Sequence, residues 1–209
     1  MEKVIQGLQA VGEFLQYSEK FTPIPGFLFN IEGWLLHLLA RYGPGEGEVA
    51  EIGSFMGRST CWLASGLAAA GRGKVTAIDT FQGSPEHQSD PHLKKVLAEG
   101  KLFAAFSVVI EQHGLASHVA PLVGDSPTLA RAWTRPLRLL FIDGDHSYEG
   151  VSRDFAAWEK FVVPGGLVAL HDVGGWEGVT RFYEQDLKKN PAYRETVGAN
   201  SLRAFVKVG

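Results

Sequence analysis

The stretch VAEIGSFMGRST, residues 49–60, runs from apolar residues through a glycine turn into a segment of helical character. A glycine-rich strand-to-helix turn can cradle a nucleotide, a phosphate or a carboxylate. A P-loop needs one more residue between Gly53 and Gly57, and it needs lysine where Arg58 stands. A dinucleotide-binding turn needs glycine in place of Phe55, so that the backbone can approach a pyrophosphate. This turn is therefore not built for phosphates.

Short apolar runs on both sides of this turn alternate with longer amphipathic segments, which is typical of a doubly wound α/β sheet. The predicted strands are EVAEIG, KVTAID, VAPLVG, RLLFIDG and GLVALHD, and the predicted helices between them cover residues 57–70, about 91–113, 126–133 and 148–161. After a helix at about 176–189, the runs YRETVGA and SLRAFVKV predict an antiparallel hairpin with a tight turn at Asn200–Ser201. We therefore predict a Rossmann-like sheet of seven strands, mostly parallel, with a C-terminal antiparallel hairpin strand and helices on both faces.

Two amphipathic helices are predicted ahead of the sheet. The first covers residues 2–17, and its apolar face is formed by Val4, Leu8, Val11 and Leu15. The second is NIEGWLLHLLARYG, which ends at Gly43. The connector between the two helices is irregular, because it contains Pro23 and Pro25.

Composition limits the classes of function. The chain has 209 residues, a formal net charge of −3 and one cysteine, Cys61. It lacks the basic excess of a nucleic-acid-binding protein, and one cysteine excludes an intramolecular disulfide or a cysteine-rich metal site. The N-terminus carries charged residues and no long apolar run, so we expect no signal peptide and no membrane span and, by default, a cytoplasmic protein.

Polar and acidic residues follow the predicted parallel strands at their carboxyl ends. These ends are Glu51–Gly53, Asp79–Thr80, Gly124–Ser126, Asp143–His146 and His171–Asp172. In an open parallel sheet such ends meet at one crevice, where ligands bind. Clustered carboxylates repel each other and are costly to desolvate, so a purely structural protein has no need for them. The pattern therefore predicts a binding site at this edge of the sheet.

The charges suggest what that site holds. Glu51 is a poor neighbour for an anion and a good one for a cation, whereas the backbone N–H groups near Arg58–Thr60 can meet a carboxylate. Asp79 ends the next strand, where an acid can accept hydrogen bonds from both hydroxyls of a ribose. A ligand that carries a carboxylate, an ammonium group and a ribose fits these residues best.

Five motifs in order, EIGSFMGRST, VTAID, GDS, FIDGDHSYEGV and PGGLVALHDV, resemble the class I S-adenosylmethionine-dependent methyltransferases. Within that class they look most like the small O-methyltransferase branch that includes macrolide- and cephalosporin-tailoring enzymes. The resemblance covers residues 30–208. It implies a cofactor-binding methyltransferase domain at residues 44–209 and a small-molecule acceptor. The helices of residues 1–43 are then expected to cap the acceptor site or to form the contact of a homodimer.

The resemblance assigns cofactor contacts, and each has a simpler alternative. Glu51 and Gly53 match the first cofactor motif, with Gly53 letting the methionine part approach the backbone; alternatively, Gly53 only permits a tight turn. Ser59 is assigned to the cofactor carboxylate, or else is an ordinary residue of the first helical turn. Asp79, with Thr80 beside it, matches the ribose-binding acid, or else is a loop or N-cap aspartate.

The third strand end is assigned to the adenine. Asp125 and Ser126 match the motif at the adenine edge, where a carboxylate can accept a hydrogen bond from the exocyclic amine. The alternative is a helix cap, with Ser126 as N-cap and Pro127 as the first helical residue. One residue can serve both purposes.

Asp143 ends a buried strand, so its carboxylate needs a cation nearby, which is the sulfonium of the bound cofactor, a metal or both. In metal-dependent O-methyltransferases the matching position binds a divalent ion, and the partner positions are His171 and Asp172 here. A histidine ligand favours Zn²⁺, Fe²⁺ or Mn²⁺ over Mg²⁺. The sequence therefore predicts S-adenosylmethionine together with either Mg²⁺ or another divalent metal at Asp143, His171 and Asp172, or a hydrogen-bonded polar cluster without metal.

Asp143 and His146 are the predicted catalytic residues. His146 is suited to remove the proton of an acceptor hydroxyl, with Asp145 orienting it, or else it caps the following helix. Trp176 is expected to wall the acceptor pocket, and residues 1–35 and 80–92 are expected to shape it. Oxygen is the favoured acceptor atom and nitrogen stays open. The rival functions are a non-catalytic cofactor-binding protein and a nicotinamide-dependent oxidoreductase.

Overall fold

A computed structural model describes residues 1–83 and 96–209. Within these residues seven strands form one sheet, in the order β3-β2-β1-β4-β5-β7-β6. The strands are β1 (Glu48–Ile52), β2 (Val75–Asp79), β3 (Val119–Val123), β4 (Leu137–Ile142), β5 (Val162–Leu170), β6 (Tyr193–Ala199) and β7 (Leu202–Lys207). Strands β1 to β5 are parallel, and β7 pairs antiparallel with both β5 and β6. The predicted fold is confirmed.

The described helices surround this sheet. They are α1 (Glu2–Phe21), α2 (Asn30–Tyr42), α3 (Arg58–Ala70), α4 (Leu102–Gln112), α5 (Ser126–Ala130), α6 (Tyr148–Trp158) and α7 (Glu177–Phe182), which a π-helical turn (Tyr183–Leu187) continues. In the described part of the predicted helix at about 91–113, residues 96–98 are helical, residues 99–101 interrupt the helix, and α4 begins at Leu102; residues 84–95 lie outside the described residues. Helices α5 and α6 are shorter than predicted, whereas α1 runs four residues further than predicted.

Two apolar clusters lie on opposite faces of the sheet. One joins the N-terminal region and α3 to the sheet, and Trp62 and Leu36 are at its centre. The other joins α6 and α7 to the opposite face through Trp158 and Phe182. Cys61 is fully buried in the first cluster, as the sequence predicts, and burial raises the pKa of its thiol. Helices on both faces therefore fix the carboxyl ends of the strands along one open edge.

The chain order reverses between β1 and β4, which lie side by side at the centre of the sheet. The connections after these two strands run in opposite directions along the sheet, so a crevice opens at their carboxyl ends. Glu51 belongs to β1, and Asp143 directly follows β4. The predicted site residues thus converge on the part of the fold where ligands bind.

Helix α1 differs from its sequence-based interpretation. The face formed by Val4, Leu8, Val11 and Leu15 is exposed, while Phe14 and other aromatic residues of α1 pack against the core. Across the described ranges, no helix combines the length and the apolar character that a membrane span requires.

Candidate active site

A cavity of about 770 Å³ opens at the carboxyl ends of the strands. Its size is in the range of small-molecule and cofactor sites. Most of the predicted site residues line it: Gly53, Ser59, Asp79, Thr80, Asp125, Ser126, Asp143, His146, His171 and Asp172. Glu51 does not line the cavity, because it is fully buried beneath the glycine turn. The connector between α1 and α2 closes one side of the cavity through Pro25, Phe27 and Leu28.

Asp79 holds the glycine turn in place. Its Oδ2 accepts hydrogen bonds from the backbone N–H groups of Ser54 (2.9 Å) and Phe55 (2.8 Å), and its Oδ1 accepts from Phe81 N–H (2.7 Å). Phe55 and Phe81 both adopt left-handed backbone conformations, with φ of 45° and 53°. Such conformations are strained for bulky residues, so they persist only where the surroundings enforce them. The carboxylate of Asp79 supplies that constraint.

Gly53 is required by the sheet itself. Its φ is +87°, and a Cβ at this position would clash with the backbone carbonyl of Asp143. Since β1 and β4 approach each other this closely, the tight-turn interpretation accounts for Gly53 without any ligand.

Glu51 lies beneath the turn and accepts hydrogen bonds from the hydroxyls of Ser54 (2.9 Å) and Thr60. Burial raises the pKa of Glu51 to about 7, although hydrogen bonds from Ser59 and its neighbours oppose this shift. Among the described residues its Oε1 has no hydrogen-bond partner. A cation or a donor close to this oxygen would therefore favour the charged form.

The structure corrects the predicted N-cap of α5, the helix that follows β3. Asp125, and not Ser126, is the N-cap of α5, and its Oδ2 accepts from Thr128 N–H (3.2 Å) and Thr128 Oγ1 (2.7 Å). Ser126 is the first helical residue, and its Oγ accepts from the indole of Trp158 (2.8 Å). An aspartate caps a helix as well as a serine, so the choice was open from the sequence alone.

Asp143, His146 and Asp172 converge at the floor of the cavity. One ligand atom from each lies within 4.8 Å of the others, so among the described residues these three form a group that could hold a metal ion. His146 Nε2 lies 3.2 Å from Asp172 Oδ2 and 3.9 Å from Asp143 Oδ1. Asp172 has a left-handed backbone, with φ of 64°. Strain of this kind often marks a functional position.

His171 is one of the predicted metal ligands. Its Nδ1 lies 3.0 Å from Asp143 Oδ1 and its Nε2 lies 3.1 Å from Glu32 Oε2, so both ring nitrogens bind carboxylates. Burial alone would lower the pKa of His171, but Asp143, Asp172 and Glu32 raise it to about 12. In this arrangement both ring nitrogens of His171 are engaged by carboxylates. In the group of potential ligands, His146 takes the place predicted for His171.

The cation of His171 also explains how Asp143 is held charged. Burial alone would raise the pKa of Asp143, but His171 and His146 lower it to about 2. The carboxylate at the end of this buried strand is therefore paired within the protein, and a metal is not required to keep it ionised.

Glu32 on α2 is a component of the site that sequence reasoning missed. It is fully buried; its Oε2 accepts from Phe29 N–H (2.8 Å) and binds His171. Its Oε1 accepts from Asn200 Nδ2 (3.0 Å) and from the N–H and hydroxyl of Ser201 (2.9 and 2.7 Å). Burial opposes ionisation, but these partners lower the pKa of Glu32 to about 2. The sequence held one signal for this role. Glu32 lies three residues after Phe29 at the start of an apolar helix, where a glutamate can accept a hydrogen bond from the N-cap backbone.

His146 is oriented by neighbours other than the predicted one. Its ring stacks on Trp176, with 4.8 Å between centroids and 22° between planes, and its Nε2 faces Asp172. Asp145 instead accepts a hydrogen bond from Ser147 N–H (2.9 Å), and Ser147 caps α6. Trp176 lines the cavity, as predicted.

The predicted pocket-shaping segment at residues 80–92 is only partly described. Residues 84–92 lie outside the described residues. Thr80 and Gly83 line the cavity at the beginning of this segment.

Comparison with known proteins gives a family match. Residues 50–173, more than half of the chain, match the sequence model of a family described as "Methyltransferase domain". The matched region begins within β1, just before the glycine turn, and ends directly after His171 and Asp172, so it includes the carboxyl ends of the parallel strands.

Solved structures with the same fold have low sequence identity to the chain. The O-methyltransferase TomG from Streptomyces achromogenes, in complex with SAM, is 24% identical, with a TM-score of 0.60, over 96% of this chain and 90% of that one. An O-methyltransferase from Bacillus cereus in complex with SAH is 22% identical, with a TM-score of 0.59, over 95% and 91%. Cofactor-bound Rv0187 from MTB is 20% identical, with a TM-score of 0.64, over 95% and 89%. At these identities the likeness shows the fold.

Proposed function

Because the chain belongs to the methyltransferase domain family that it matches over residues 50–173, we propose that it methylates a hydroxyl oxygen of a small molecule with S-adenosylmethionine. The family confirms the class of enzyme that the sequence motifs predicted. One observation carries the finer proposal, namely the convergence of Asp143, His146 and Asp172 at the floor of a cavity of suitable size. The SAM and SAH in the Streptomyces achromogenes and Bacillus cereus structures support the choice of cofactor.

The cofactor is proposed to lie along the crevice with its adenine toward β3. Asp125 caps α5 through Oδ2, and its Oδ1 would accept from the exocyclic amine. Asp79 already accepts two hydrogen bonds from the glycine turn and one from Phe81 N–H, so it would share the ribose with Thr80. Ser59 and the first N–H groups of α3 would meet the carboxylate of the methionine part.

The methionine end of the cofactor carries an ammonium group and a sulfonium. Glu51 lies beneath the turn that would hold the ammonium, and Asp143 and Asp172 lie at the floor. Three carboxylates (those of Glu32, Asp143 and Asp172) surround one imidazolium, that of His171, so the cluster keeps a net negative charge. This charge favours a bound cation.

His146 is the proposed general base. A free alcohol is a poor nucleophile at neutral pH, so removal of its proton assists the attack on the methyl carbon. Asp172 and Asp143, which face Nε2, would stabilise the imidazolium that forms once His146 has taken up the proton. The sulfonium leaves as a neutral thioether, and charge disappears in the transition state. Alignment and exclusion of water then matter most.

A metal-assisted scheme is the second candidate, because Asp143, His146 and Asp172 offer two carboxylates and one imidazole within 4.8 Å. These donors fit a divalent transition metal better than Mg²⁺. A bound ion would lower the pKa of the acceptor hydroxyl. His146 would then be a ligand and could not also be the base, so the two schemes exclude each other.

The acceptor is proposed to enter between the connector and the loop after β5. Phe27 and Trp176 are both partly exposed and line the cavity on these two sides. Since Trp176 stacks on His146, an acceptor that binds at His146 would lie beside this indole.

The test is calorimetric titration with S-adenosylmethionine in Mg²⁺, in Mn²⁺ and in chelator, together with SAH release in the presence of hydroxylated acceptors. We expect His146→Ala to keep cofactor binding and to lose turnover by about 100-fold or more. His118→Ala is the matched control, since His118 is a partly exposed histidine that does not line the cavity.

The outcomes separate the alternatives. Binding and turnover in chelator support the His146 scheme, and turnover that appears only with added metal supports the metal scheme. Binding without turnover on any acceptor supports the rival cofactor-binding protein. Absence of binding at millimolar cofactor contradicts the proposal and calls for titration with nicotinamide nucleotides, the ligands of the rival oxidoreductase.

A further inference from the structure

The side chain of Arg58 lines the cavity from the first turn of α3. Its Nη1 donates to the carbonyl of Gly26 (3.0 Å), and its Nη2 donates to Oδ1 of Asn30 (3.4 Å). A Cβ on Gly26 would lie 3.3 Å from the Cβ and Cδ of Arg58, so the stem of the arginine runs along the connector between α1 and α2. The guanidinium therefore belongs to the connector side of the cavity, which is the side proposed for the acceptor.

Arg58 differs from the other cationic side chains of the cavity wall because it faces no acid. The two histidines of the floor face carboxylates, and Arg153 lies near the carboxylates of Asp125 and Asp154. In the described part of the chain, Arg58 forms no ion pair, and its hydrogen-bond partners are neutral oxygens. Its positive charge is thus available to a ligand.

Burial makes an uncompensated charge costly. Arg58 is partly buried, and its Nε is buried without a hydrogen-bond partner among the described residues. Burial lowers the pKa of Arg58, and no neighbouring acid opposes that shift. Buried charges in proteins are normally paired. A guanidinium offers five N–H donors in a planar fork that fits a carboxylate, so a bound carboxylate would supply the missing partner.

Two carboxylates could enter this cavity, one on the cofactor and one on the acceptor. The carboxylate of the cofactor would meet Ser59 and the first backbone N–H groups of α3. The side chain of Arg58 extends instead toward Gly26 and Asn30 on the acceptor side. The floor carries two carboxylates beside His146, and these repel an anion. An acid group on the acceptor is therefore best accommodated at the connector, with the reacting hydroxyl at the floor.

We propose that Arg58 binds a carboxylate of the acceptor, so that the substrate is a hydroxylated carboxylic acid whose hydroxyl reaches His146. This assignment rests on the proposed methyl transfer and names the class of its acceptor. Phe27 and Trp176 line the cavity and suit an aromatic or apolar body between the two polar groups. A neutral alcohol of the same shape would leave Arg58 unpaired, so the site would select acids.

The test is calorimetric titration of the SAH-saturated protein with hydroxylated aromatic acids, each paired with its primary amide. The probes are para-hydroxycinnamate, meta-hydroxybenzoate and para-hydroxyphenylacetate, and their amides. We expect at least one acid to bind about 10-fold more tightly than its amide, and Arg58→Gln to abolish this preference because a charge-assisted pair is lost. The same variant should leave the Kd of SAH unchanged.

Arg153→Gln is the matched control. It removes the same charge from the same cavity at a position that acids already flank, so it should keep the preference for acids. Circular dichroism checks that each variant is folded. If Arg58→Gln unfolds, Arg58→Met replaces it, because methionine keeps much of the apolar stem that packs on Gly26.

The proposal is overturned if no acid in the series binds more tightly than its amide, or if the preference survives the loss of Arg58. A rise of about 10-fold in the Kd of SAH in Arg58→Gln would assign Arg58 to the carboxylate of the cofactor and would overturn it as well. If the protein binds no SAH, the proposed function fails by itself. The same acid and amide pairs, titrated into the cofactor-free chain, then still decide the role of Arg58.

Discussion

Glu51 is the residue whose ionisation most directly opposes folding. Its folded-state pKa of about 7 lies above the value of 4.5 expected in the unfolded chain. The folded state therefore binds more protons between these two pH values, and this residue makes stability fall as pH rises from 4.5 to 7. The full difference is about 3 kcal/mol.

We expect Glu51→Gln to remove this contribution. The glutamine is isosteric and still accepts hydrogen bonds from Ser54 and Thr60 through its carbonyl oxygen. Relative to the wild type, the variant should gain up to about 3 kcal/mol between pH 5 and pH 8 in urea unfolding. Glu111→Gln, on an exposed side chain, is the control and should show no such gain. Equal pH profiles for Glu51→Gln and wild type would contradict a buried, neutral Glu51.

Trp176 is the residue through which the acceptor should be recognised. We expect Trp176→Ala to raise the KM for the acceptor about 10-fold through loss of ring contact, while the Kd of the cofactor stays unchanged. Tyr42→Ala removes another exposed aromatic ring, one outside the cavity, and serves as the control in the same kinetic assay. A Trp176→Ala variant with an unchanged KM would mean that the acceptor enters elsewhere.

At the scale of residues, the sequence identifies which positions reach the site but not what they bind there. Asp79 and Asp143 are placed by strand ends, which apolar runs mark clearly. The pairing of His171 with Glu32 depends on the face of the sheet to which the His171 side chain points. Since side chains alternate along a strand, His171 points to the same face as Ala169, toward α2, and its neighbour Asp172 does not. A residue 139 positions away in the chain then occupies its second nitrogen.

At the scale of elements, Glu32 ties α2 to the end of β5 and to the turn between β6 and β7. We expect Glu32→Gln to destabilise the protein by about 3–5 kcal/mol, because the neutral amide leaves the buried cation of His171 with fewer carboxylate partners. The amide NH₂ group would also face hydrogen-bond donors where the carboxylate accepts from them. The measurement is denaturant unfolding at pH 7. Glu19→Gln, on the exposed side of α1, should change stability little.

The pH dependence of this variant provides a second check. The pKa of Glu32 is lowered from 4.5 to about 2, so its stabilising effect is complete above pH 4.5 and is lost as the pH falls toward 2. The advantage of the wild type over Glu32→Gln should therefore shrink below pH 4.5. An advantage that is constant down to pH 3 would mean that Glu32 acts by packing alone.

Sequence periodicity predicted the positions of the helices and strands better than it predicted which of their faces pack against the core. The strands and α3 match their predicted positions closely, because continuous apolar runs and a glycine turn bound them. The apolar face of α1 was visible in the sequence, but periodicity cannot tell whether such a face meets the core or the solvent. The aromatic residues Phe14, Tyr17 and Phe21 form the second face that packs inward. Since α1 carries two apolar faces, the sequence alone left open which of them meets the core.

At the scale of the whole molecule, the apolar core continues across residue 43, where the sequence predicted the boundary between the N-terminal helices and the methyltransferase domain. Leu36 and Ala40 of α2 share an apolar cluster with Trp62 of α3. Arg138 on β4 is buried and donates hydrogen bonds to the carbonyls of Ala40 (2.6 Å) and Gly43 (3.4 Å). The sequence marks this position by a glycine-rich turn, which ends a helix but says nothing about what that helix covers.

We therefore expect residues 44–209 alone not to fold cooperatively. Separation from α2 would expose Trp62 and other apolar residues of the first cluster, and it would remove the two carbonyl acceptors of Arg138. Since a whole domain is stable by only about 5–15 kcal/mol, the added loss of apolar burial leaves little or nothing. A chain that lacks only residues 1–12 should still unfold in one sharp transition, because the side chains described in that segment are exposed. Near-ultraviolet circular dichroism and thermal unfolding distinguish the two truncations. A cooperative transition in the 44–209 fragment would show that the N-terminal helices are a separable cap, as the sequence alone suggests.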